Sequence, residues 1–527
     1  MEPTHLFELV IGMFVAIIVL HYAAHRLGLP PSVALLAGGA ALAFAPGLPT
    51  IEVDPELVLV IFLPPLLMDG AWYIALGRLR RHMIGIASLA IGAVFFTCAV
   101  VAVVTHLLFP ALPWAACAAL GAIVSPPDAV SARAVLQRVR LPRRLQILLE
   151  GESLLNDASG LVLFRFAIAA GVTGAFSASE AMGSFFLLAI GGALVGIAVG
   201  TTWVLLARRL GDEYLIIAAT ILISWASYLL GEFLHVSGVI ATVTTGLIAG
   251  WYQHTVFTAA TRMRGTSFWT VLVFLMEAAV FILIGLSLRG VVERGGSLDV
   301  MAVTMGGPIL AILLALTAAR FAWVFGSDYL IRIGNALGIK RYTPVGARGA
   351  LVLSWAGVRG VVTLALALSV PEGFPGRDFI LVTSFAVILG TVLIQGTTLG
   401  KVIAWAQLSE PPSEKPRFSM SQAEAAMAQA QFVTVKARAY DENGQLIHPQ
   451  LLDKYRRRAV TSVDYAERTE HYTPMLHAHF DVILEAVVTG RSELLRLHRA
   501  GEIDDETLHE LERDLDLEEL SALAAKA

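Results

Sequence analysis

Long apolar runs separated by short polar segments fill residues 1–405 of the chain. A helix that crosses a bilayer needs about 20 consecutive, mostly apolar residues. The pattern therefore predicts thirteen transmembrane helices, at about residues 6–25, 32–46, 55–75, 83–109, 113–132, 146–170, 183–207, 213–232, 236–252, 268–288, 302–327, 348–369 and 379–400. Beyond residue 405, apolar positions recur with helical spacing among charged residues. We predict an all-α polytopic membrane protein followed by a helical tail.

Composition supports this division into two parts. The chain has 527 residues, of which 56% are hydrophobic and 15% are charged, and its mean hydropathy is +0.71. A soluble domain has about 25% charged residues. Residues 1–408 contain 24 Lys and Arg against 20 Asp and Glu, whereas residues 409–527 contain 14 against 22. We predict a transmembrane domain over 1–405 and an acidic, helical regulatory tail over 406–527.

Positive charges are distributed unevenly between alternate loops. Thirteen spans place the two chain ends on opposite sides of the membrane. If the N-terminus lies outside, the inside loops carry 18 Lys and Arg, and the outside loops carry three. Cytoplasmic loops are enriched in these residues. We therefore predict a multi-pass protein of the cytoplasmic (inner) membrane, with its N-terminus outside and its tail in the cytoplasm.

The sequence shows no pattern typical of enzymes, resident metal sites or nucleic-acid binding. Cys98 and Cys117 both lie in apolar runs and do not suggest a disulfide framework or a metal site. No His/Cys cluster, phosphate-binding glycine loop or basic patch is present in the sequence. We predict a protein that is not an enzyme, has no cofactor and does not bind nucleic acid.

The most polar stretch within an apolar run is Glu150–Gly160, with the sequence EGESLLNDASG. Ionisable residues inside a membrane span are costly and are functional candidates by default. Each residue of a helix turns by about 100°. Ser153 and Asp157 therefore share one edge of a polar face, and Glu152 and Asn156 share the other.

Two further spans contain residues that interrupt helices. Ser125-Pro126-Pro127-Asp128 lies in the fifth span, and Trp355–Val361 places Arg359 between glycines in the twelfth. Prolines remove backbone donors, and glycines weaken helices. The two spans run in opposite directions, as the broken helices of an inverted-repeat transporter do. Arg359 is then placed to compensate half-helix carbonyl ends.

The string Gly151–Gly160, the Leu63-Pro64-Pro65 motif and the Gly357–Gly360 motif together closely resemble the NhaP type of sodium/proton exchangers. The resemblance covers residues 1–405. It implies an NhaA-like antiporter fold, with an inverted repeat and two broken crossing helices. It also implies a homodimer and a role in pH homeostasis. Pro127 stands where a threonine is common in the family, so a hydroxyl is absent there.

The resemblance implies exchange of a monovalent cation for a proton by alternating access across the bilayer. Asp128, Asp157 and the Ser153 hydroxyl can supply oxygen ligands for Na⁺, with a carbonyl from the break in the fifth span. Asp157 can then carry either a proton or the cation. We expect these three residues to be the ion-binding site.

Supporting roles follow for the neighbouring polar residues. The family resemblance implies that Arg320 pairs with Glu152, which would hold Glu152 ionised. Asn156 stands where electrogenic relatives outside this family often carry a second aspartate. The resemblance therefore implies one proton per cation and electroneutral exchange.

Three alternatives remain open at this point. K⁺ instead of Na⁺, or beside it, fits the same oxygen ligands. A cation channel would also use intramembrane carboxylates. An intramembrane aspartyl protease is disfavoured because the only Tyr-Asp pair, Tyr440-Asp441, lies in the tail, and a Gly-x-Gly-Asp motif is absent from the sequence.

Overall fold

The computed structural model describes residues 3–45, 55–74, 76–128, 141–174, 178–295, 298–338, 343–408, 419–467 and 469–526. These residues form helices joined by turns and irregular segments, and their β-structure is one isolated bridge between Tyr440 and Leu446. The predicted all-α class is therefore confirmed for this part of the chain. Contacts between Cα atoms divide the chain into two units, Met1–Ser409 and Glu410–Ala527.

The first unit contains most of the helices. In chain order they are α1 Pro3–Leu27, α2 Pro31–Ala43, α3 Pro55–Trp72, α4 Leu76–Ala87, α5 Val94–Leu108, α6 Trp114–Val124, α7 Arg143–Thr173, α8 Ala178–Ala207, α9 Glu213–Phe233, α10 Gly238–Val256, α11 Ala259–Leu286, α12 Leu288–Gly295, α13 Leu298–Ala336, α14 Ala347–Trp355, α15 Val361–Leu368, α16 Arg377–Gly390 and α17 Thr397–Ala406. A π-helical segment, Ser88–Ala93, joins α4 to α5, and a second, Thr391–Gly396, joins α16 to α17.

Eight helical stretches within the described residues are long and apolar enough to cross a membrane. They are Val10–Leu27, Leu79–Leu108, Arg143–Thr173, Gly183–Ala207, Glu213–Phe233, Ala259–Glu293, Val303–Ala336 and Arg377–Ala406. Every predicted span overlaps one of these stretches or a shorter helix. The end of the predicted span 113–132, after residue 128, lies outside the described residues.

Most contacts between the helices of the first unit fall within two groups. We call α1–α3 and α8–α11 the α3 bundle, and α4–α7 and α13–α17 the α7 bundle. Contacts between the bundles are fewer and involve mainly α3, α10 and α11 on one side and α7 and α15 on the other. The polar stretch of α7 therefore belongs to one bundle and lies close to the other.

Helices α2 and α11 pack closely because two glycines meet at their crossing. A Cβ atom on Gly39 would lie 2.6 Å from the carbonyl oxygen of Ile282, and one on Gly285 would lie 2.5 Å from that of Leu36. Neither backbone could yield to such a contact. The absence of side chains at these two positions therefore sets the distance between the helices.

The second unit consists of two helical hairpins, formed by α18 Met420–Arg438 with α19 Pro449–Glu467, and by α20 Thr469–Arg499 with α21 Asp505–Lys526. Arg491 of α20 donates hydrogen bonds to Asp516 and Glu519 of α21, each at 2.6 Å. The described residues of the tail are thus helical, and ion pairs at the surface join the two helices of the second hairpin.

Candidate ion-binding site

The first break in the α7 bundle follows α6, which ends at Val124. Pro126 and Pro127 lack a backbone N–H and cannot extend the hydrogen bonds of that helix. The last carbonyl groups of α6 therefore need other donors. Arg359 supplies them, since its Nε donates to the carbonyl of Val124 at 2.8 Å and its Nη2 donates to that of Ser125 at 3.2 Å. This is the contact with half-helix carbonyl ends that the sequence predicts.

The second break separates α14, which ends at Trp355, from α15, which begins at Val361. The two breaks meet, because the backbone N–H of Asp128 donates to the carbonyl of Val358 at 2.7 Å. Two non-helical segments thus satisfy each other's backbone groups inside the bundle. Such irregular backbone is tolerated at membrane depth only where protein or a cavity surrounds it.

Arg359 also fixes the second break from within. Its side chain is 1% exposed, and its guanidinium donates to the carbonyl of Gly357. Its backbone N–H donates to the Oγ1 of Thr391 at 3.1 Å, at the start of the π-helical segment before α17. One buried cation therefore contacts carbonyl groups of both breaks.

Two glycines of the second break make room for charged side chains. A side chain at Gly360 would overlap the carboxylate of Asp128. A Cβ atom at Gly357 would lie 2.7 Å from the Cδ of Arg320 and 2.8 Å from the Nη1 of Arg359. The glycines thus allow Asp128 and both arginines to approach the break.

Glu152 of α7 forms a buried, bidentate ion pair with Arg320 of α13. The two N–O distances are 2.6 and 2.8 Å, and the two residues are 1% and 3% exposed. Arg320 also donates to the carbonyl of Leu353 from Nε at 3.1 Å and from Nη2 at 3.0 Å. The pair implied by the family resemblance is therefore present, and it joins α7 to both α13 and α14.

Asn156 lies one turn further along the same edge of α7 and is fully buried. Its Nδ2 donates to the carbonyl of Pro127 at 2.5 Å. The amide thus ties α7 to the first break, immediately before Asp128. Glu152 and Asn156 both bind fixed partners within the α7 bundle.

The other edge of the polar face of α7 lines a cavity between the two bundles. The cavity has a volume of about 40 Å³, which is room for a few water-sized species. Its lining residues are Leu63, Leu66, Leu67, Gly70, Asp128, Glu150, Ser153, Leu154, Asp157, Val361 and Val362. The α3 bundle contributes only apolar side chains and a glycine to this lining, and the polar groups come from the α7 bundle.

The electrostatics of the cavity are dominated by carboxylates. Asp157 is 8% exposed, and Asp128 lines the same cavity. Two like charges in a poorly solvated site repel each other and each lose hydration. The site therefore favours a bound cation or a proton, and its oxygen ligands suit a hard alkali ion.

A sequence model described as "Sodium/hydrogen exchanger, transmembrane" matches residues 11–405 of the chain. The match covers nearly the whole first unit, including both breaks and the polar stretch of α7. The chain belongs to the sodium/hydrogen exchanger family. This exchanger is an integral membrane transporter of the NhaP type and not an enzyme.

Relatives of this exchanger share its sequence over most of its length. An uncharacterised Na⁺/H⁺ exchanger of Mycobacterium tuberculosis is 31% identical over 98% of this chain and 96% of its own. A sodium, potassium, lithium and rubidium/H⁺ antiporter of Bacillus subtilis is 36% identical over 70% of this chain and 57% of its own.

The fold also resembles that of a solved antiporter. The structure of the sodium proton antiporter MjNhaP1 from Methanocaldococcus jannaschii superposes with a TM-score of 0.60. The alignment has 21% sequence identity and covers 76% of this chain and 98% of that one. This likeness identifies the antiporter fold of the exchanger.

The structure brings the predicted site residues together in one place. Asp128, Ser153 and Asp157, the predicted ion ligands, line the cavity. The predicted supporting residues lie around it and are Pro127, Asn156, Glu152, Arg320 and Arg359. Their roles in transport stay predictions.

Glu150 is the cavity-lining carboxylate that the sequence-based site omits. The signal for it was available, because Glu150, Ser153 and Asp157 are spaced i, i+3 and i+7 and so share one face of a helix. The sequence-based interpretation assigned edges of the polar face only to Glu152, Ser153, Asn156 and Asp157, and it gave Glu150 no role.

Proposed function

We propose that this exchanger moves Na⁺, and with it Li⁺, across the cytoplasmic membrane in exchange for H⁺, electroneutrally and by alternating access. The observation that carries the proposal is the convergence of Asp128, Ser153 and Asp157 on one small cavity between the two bundles. The family supports cation/proton exchange, and the geometry supports these three residues as its centre.

Competition between the two ions follows from the surroundings of Asp157. A buried carboxylate beside a second carboxylate needs a compensating charge. Na⁺ can provide it by binding both carboxylates and the Ser153 hydroxyl, and a proton can provide it by neutralising Asp157. Each occupied state cancels one of the two negative charges and relieves their repulsion, and so permits movement, whereas the empty state with two anionic carboxylates resists it.

A single carrier follows from the fixed partners of the neighbouring polar residues. Glu152 is neutralised by Arg320 at 2.6 Å, and the Asn156 amide cannot carry a proton. Asp157 is then the residue that exchanges its counter-ion during the cycle. One cation moves against one proton, and no net charge crosses the membrane.

Alternating access is supported by the division into two bundles. The cavity has polar groups on the α7 bundle and an apolar wall from the α3 bundle. Movement of the α7 bundle against that wall would carry the ion site from one side to the other. We propose an NhaA-like inverted repeat of thirteen spans, with the N-terminus outside and the tail in the cytoplasm.

Sodium is proposed as the main substrate on the strength of the family and the names of its members. The Bacillus subtilis relative is named as an antiporter of sodium, potassium, lithium and rubidium, so a panel of alkali ions is the informative test. Purified protein in liposomes with a pH-sensitive dye should respond to Na⁺ and Li⁺ more strongly than to K⁺ and Rb⁺. A stronger response to K⁺ would identify it as a K⁺/H⁺ antiporter.

The same liposomes distinguish an exchanger from a channel. An exchanger changes the internal pH when cation is added, whereas a cation channel would pass current at fixed voltage without a proton gradient.

The tail is proposed as a regulatory domain of a homodimer, since the candidate ligands all lie in the first unit.

A further inference from the structure

We propose that Glu150 is a recruiting carboxylate, which draws the monovalent cation into the cavity from the side where α7 begins and passes it towards Ser153 and Asp157. The inference rests on the proposed function, because it assigns a step to the cation that the exchanger transports. It concerns a residue outside the predicted ion-binding set.

The first support is the register of α7. Residues seven apart on a helix differ by about 20° in direction and by about 10.5 Å in height. Glu150, Ser153 and Asp157 therefore form a column of oxygen atoms along one face of α7, and all three line the same cavity. The column leads from Glu150, two turns after the start of α7, to the buried carboxylate of Asp157.

The second support is a gradient of burial along this column. Glu150 and Ser153 are partly exposed, whereas Asp157 is 8% exposed. A cation at Glu150 can keep part of its hydration, and one at Asp157 cannot. Oxygen atoms at each level can replace water molecules progressively, because a cavity of about 40 Å³ has no room for a full hydration shell.

The third support is that the charge of Glu150 is available to a passing ion. Gln146 donates to its Oε1 at 2.8 Å, and this amide is neutral. Within the described residues, no arginine or lysine forms an ion pair with Glu150. Glu152, only two residues further, is neutralised by Arg320 and cannot serve in this way.

Glu150 acts before the final binding position and not within it. Among the described residues, no three acidic, histidine or cysteine side chains approach closely enough to hold one metal ion together. Glu150, Asp128 and Asp157 therefore do not form one common site, and the proposal places the cation first at Glu150 and then at Asp128 and Asp157. The apolar walls from Leu63 and Val361 strengthen the field of each carboxylate by excluding water.

The test is Glu150→Gln, which keeps the size and the acceptor oxygen for Gln146 but removes the charge. In liposomes at low ionic strength, the apparent KM for Na⁺ should rise roughly three- to tenfold, since local charge concentrates ions by at least this order. The maximal rate should stay near that of the unaltered protein. The rise in KM should shrink when an impermeant salt screens the charge. Glu150→Asp should restore most of the affinity.

Asp212→Asn is the matched control. It removes one negative charge at the proposed cytoplasmic end of α9, outside the cavity. Asn retains the N-cap, in which the Asp212 side chain accepts from the N–H of Leu215 at 2.9 Å. Its KM should not change. An equal rise in both variants would overturn the inference, because the effect would then be one of general surface charge.

Other outcomes are equally decisive. An unchanged KM in Glu150→Gln, or a lower maximal rate at unchanged KM, contradicts recruitment. If Glu150→Gln does not fold, Glu150→Ala removes the same charge, and an unchanged KM for Na⁺ in that variant contradicts the inference. The unaltered protein separates the two proposals: without Na⁺/H⁺ exchange the proposed function fails, whereas normal exchange with an insensitive Glu150 overturns only the recruiting role.

Discussion

The two edges of the polar face of α7 carry similar residues in different surroundings. On one edge, Glu152 and Asn156 bind Arg320 and the carbonyl of Pro127 within a single bundle. On the other edge, Ser153 and Asp157 line a cavity between two bundles. We call these the bonded edge and the cavity edge.

The difference between the edges lies in the origin of the compensating charge. A buried carboxylate is tolerated in a membrane only with a counter-charge. On the bonded edge an arginine of the protein provides it permanently. On the cavity edge, Asp157 shares the cavity with another carboxylate, Asp128, and we propose that an ion from solution provides the counter-charge. In this proposal the bonded edge has a structural role, and the cavity edge exchanges its counter-ion.

The largest expected effect is the loss of transport in Asp157→Asn. An amide cannot exchange a proton for a cation, so exchange in liposomes should be abolished. Size-exclusion profiles and thermal stability should stay near normal, because the amide removes like-charge repulsion with Asp128. Asp212→Asn, outside the cavity, should retain full exchange. Wild-type rates in Asp157→Asn would refute its role as the carrier.

Breaking the bonded edge should instead destabilise the protein. Glu152→Gln and Arg320→Met should each lower the free energy of unfolding by about 3–5 kcal/mol, because one buried charge loses its partner. The double variant should lose much less than the sum. A double-mutant cycle on thermal stability measures this coupling. Additive losses would mean that the two side chains do not interact in the membrane.

Sequence reasoning performed best where a feature depends on local spacing. The two edges of α7 follow from a rotation of about 100° per residue, and the breaks follow from Pro126, Pro127 and the glycines around Arg359. Contacts between residues that are far apart in the sequence do not follow from local spacing. Glu152 and Arg320 are 168 residues apart, and only the family resemblance connected them.

Two features could not be derived from spacing. The bond from Asn156 to the carbonyl of Pro127 depends on how the breaks cross, which is a property of the packed bundle. The ends of the predicted spans also differ from the ends of the helices in the structure. α13 covers Leu298–Ala336, beyond the predicted span 302–327, because polar residues can continue a helix past the apolar layer.

A moderate effect is expected where the two breaks meet. Gly360→Ala places a methyl group against the Asp128 carboxylate and should destabilise the protein by about 1–3 kcal/mol, as overpacking does. The apparent KM for Na⁺ should rise because Asp128 is displaced. Gly326→Ala in α13, where an added Cβ meets nothing within 4 Å, is the control. Equal behaviour of the two variants would show that Asp128 does not depend on the glycine.

The smallest expected effect is that of membrane potential, and it tests the separation of the two edges most directly. If only Asp157 changes its counter-ion while Glu152 stays paired with Arg320, each cycle exchanges one positive charge for another. Liposomes clamped with valinomycin and K⁺, once the ion panel has shown that K⁺ is not a substrate, should exchange Na⁺ for H⁺ at equal rates at zero and at strongly negative potential. A clear acceleration by potential would mean that a second group releases or binds a proton during the cycle. Glu152 would then be the first candidate, and the bonded edge would no longer be a fixed frame. The variant Asn156→Asp does not replace this measurement, because nearby Arg320 and Arg359 can neutralise an added carboxylate without its taking part in transport.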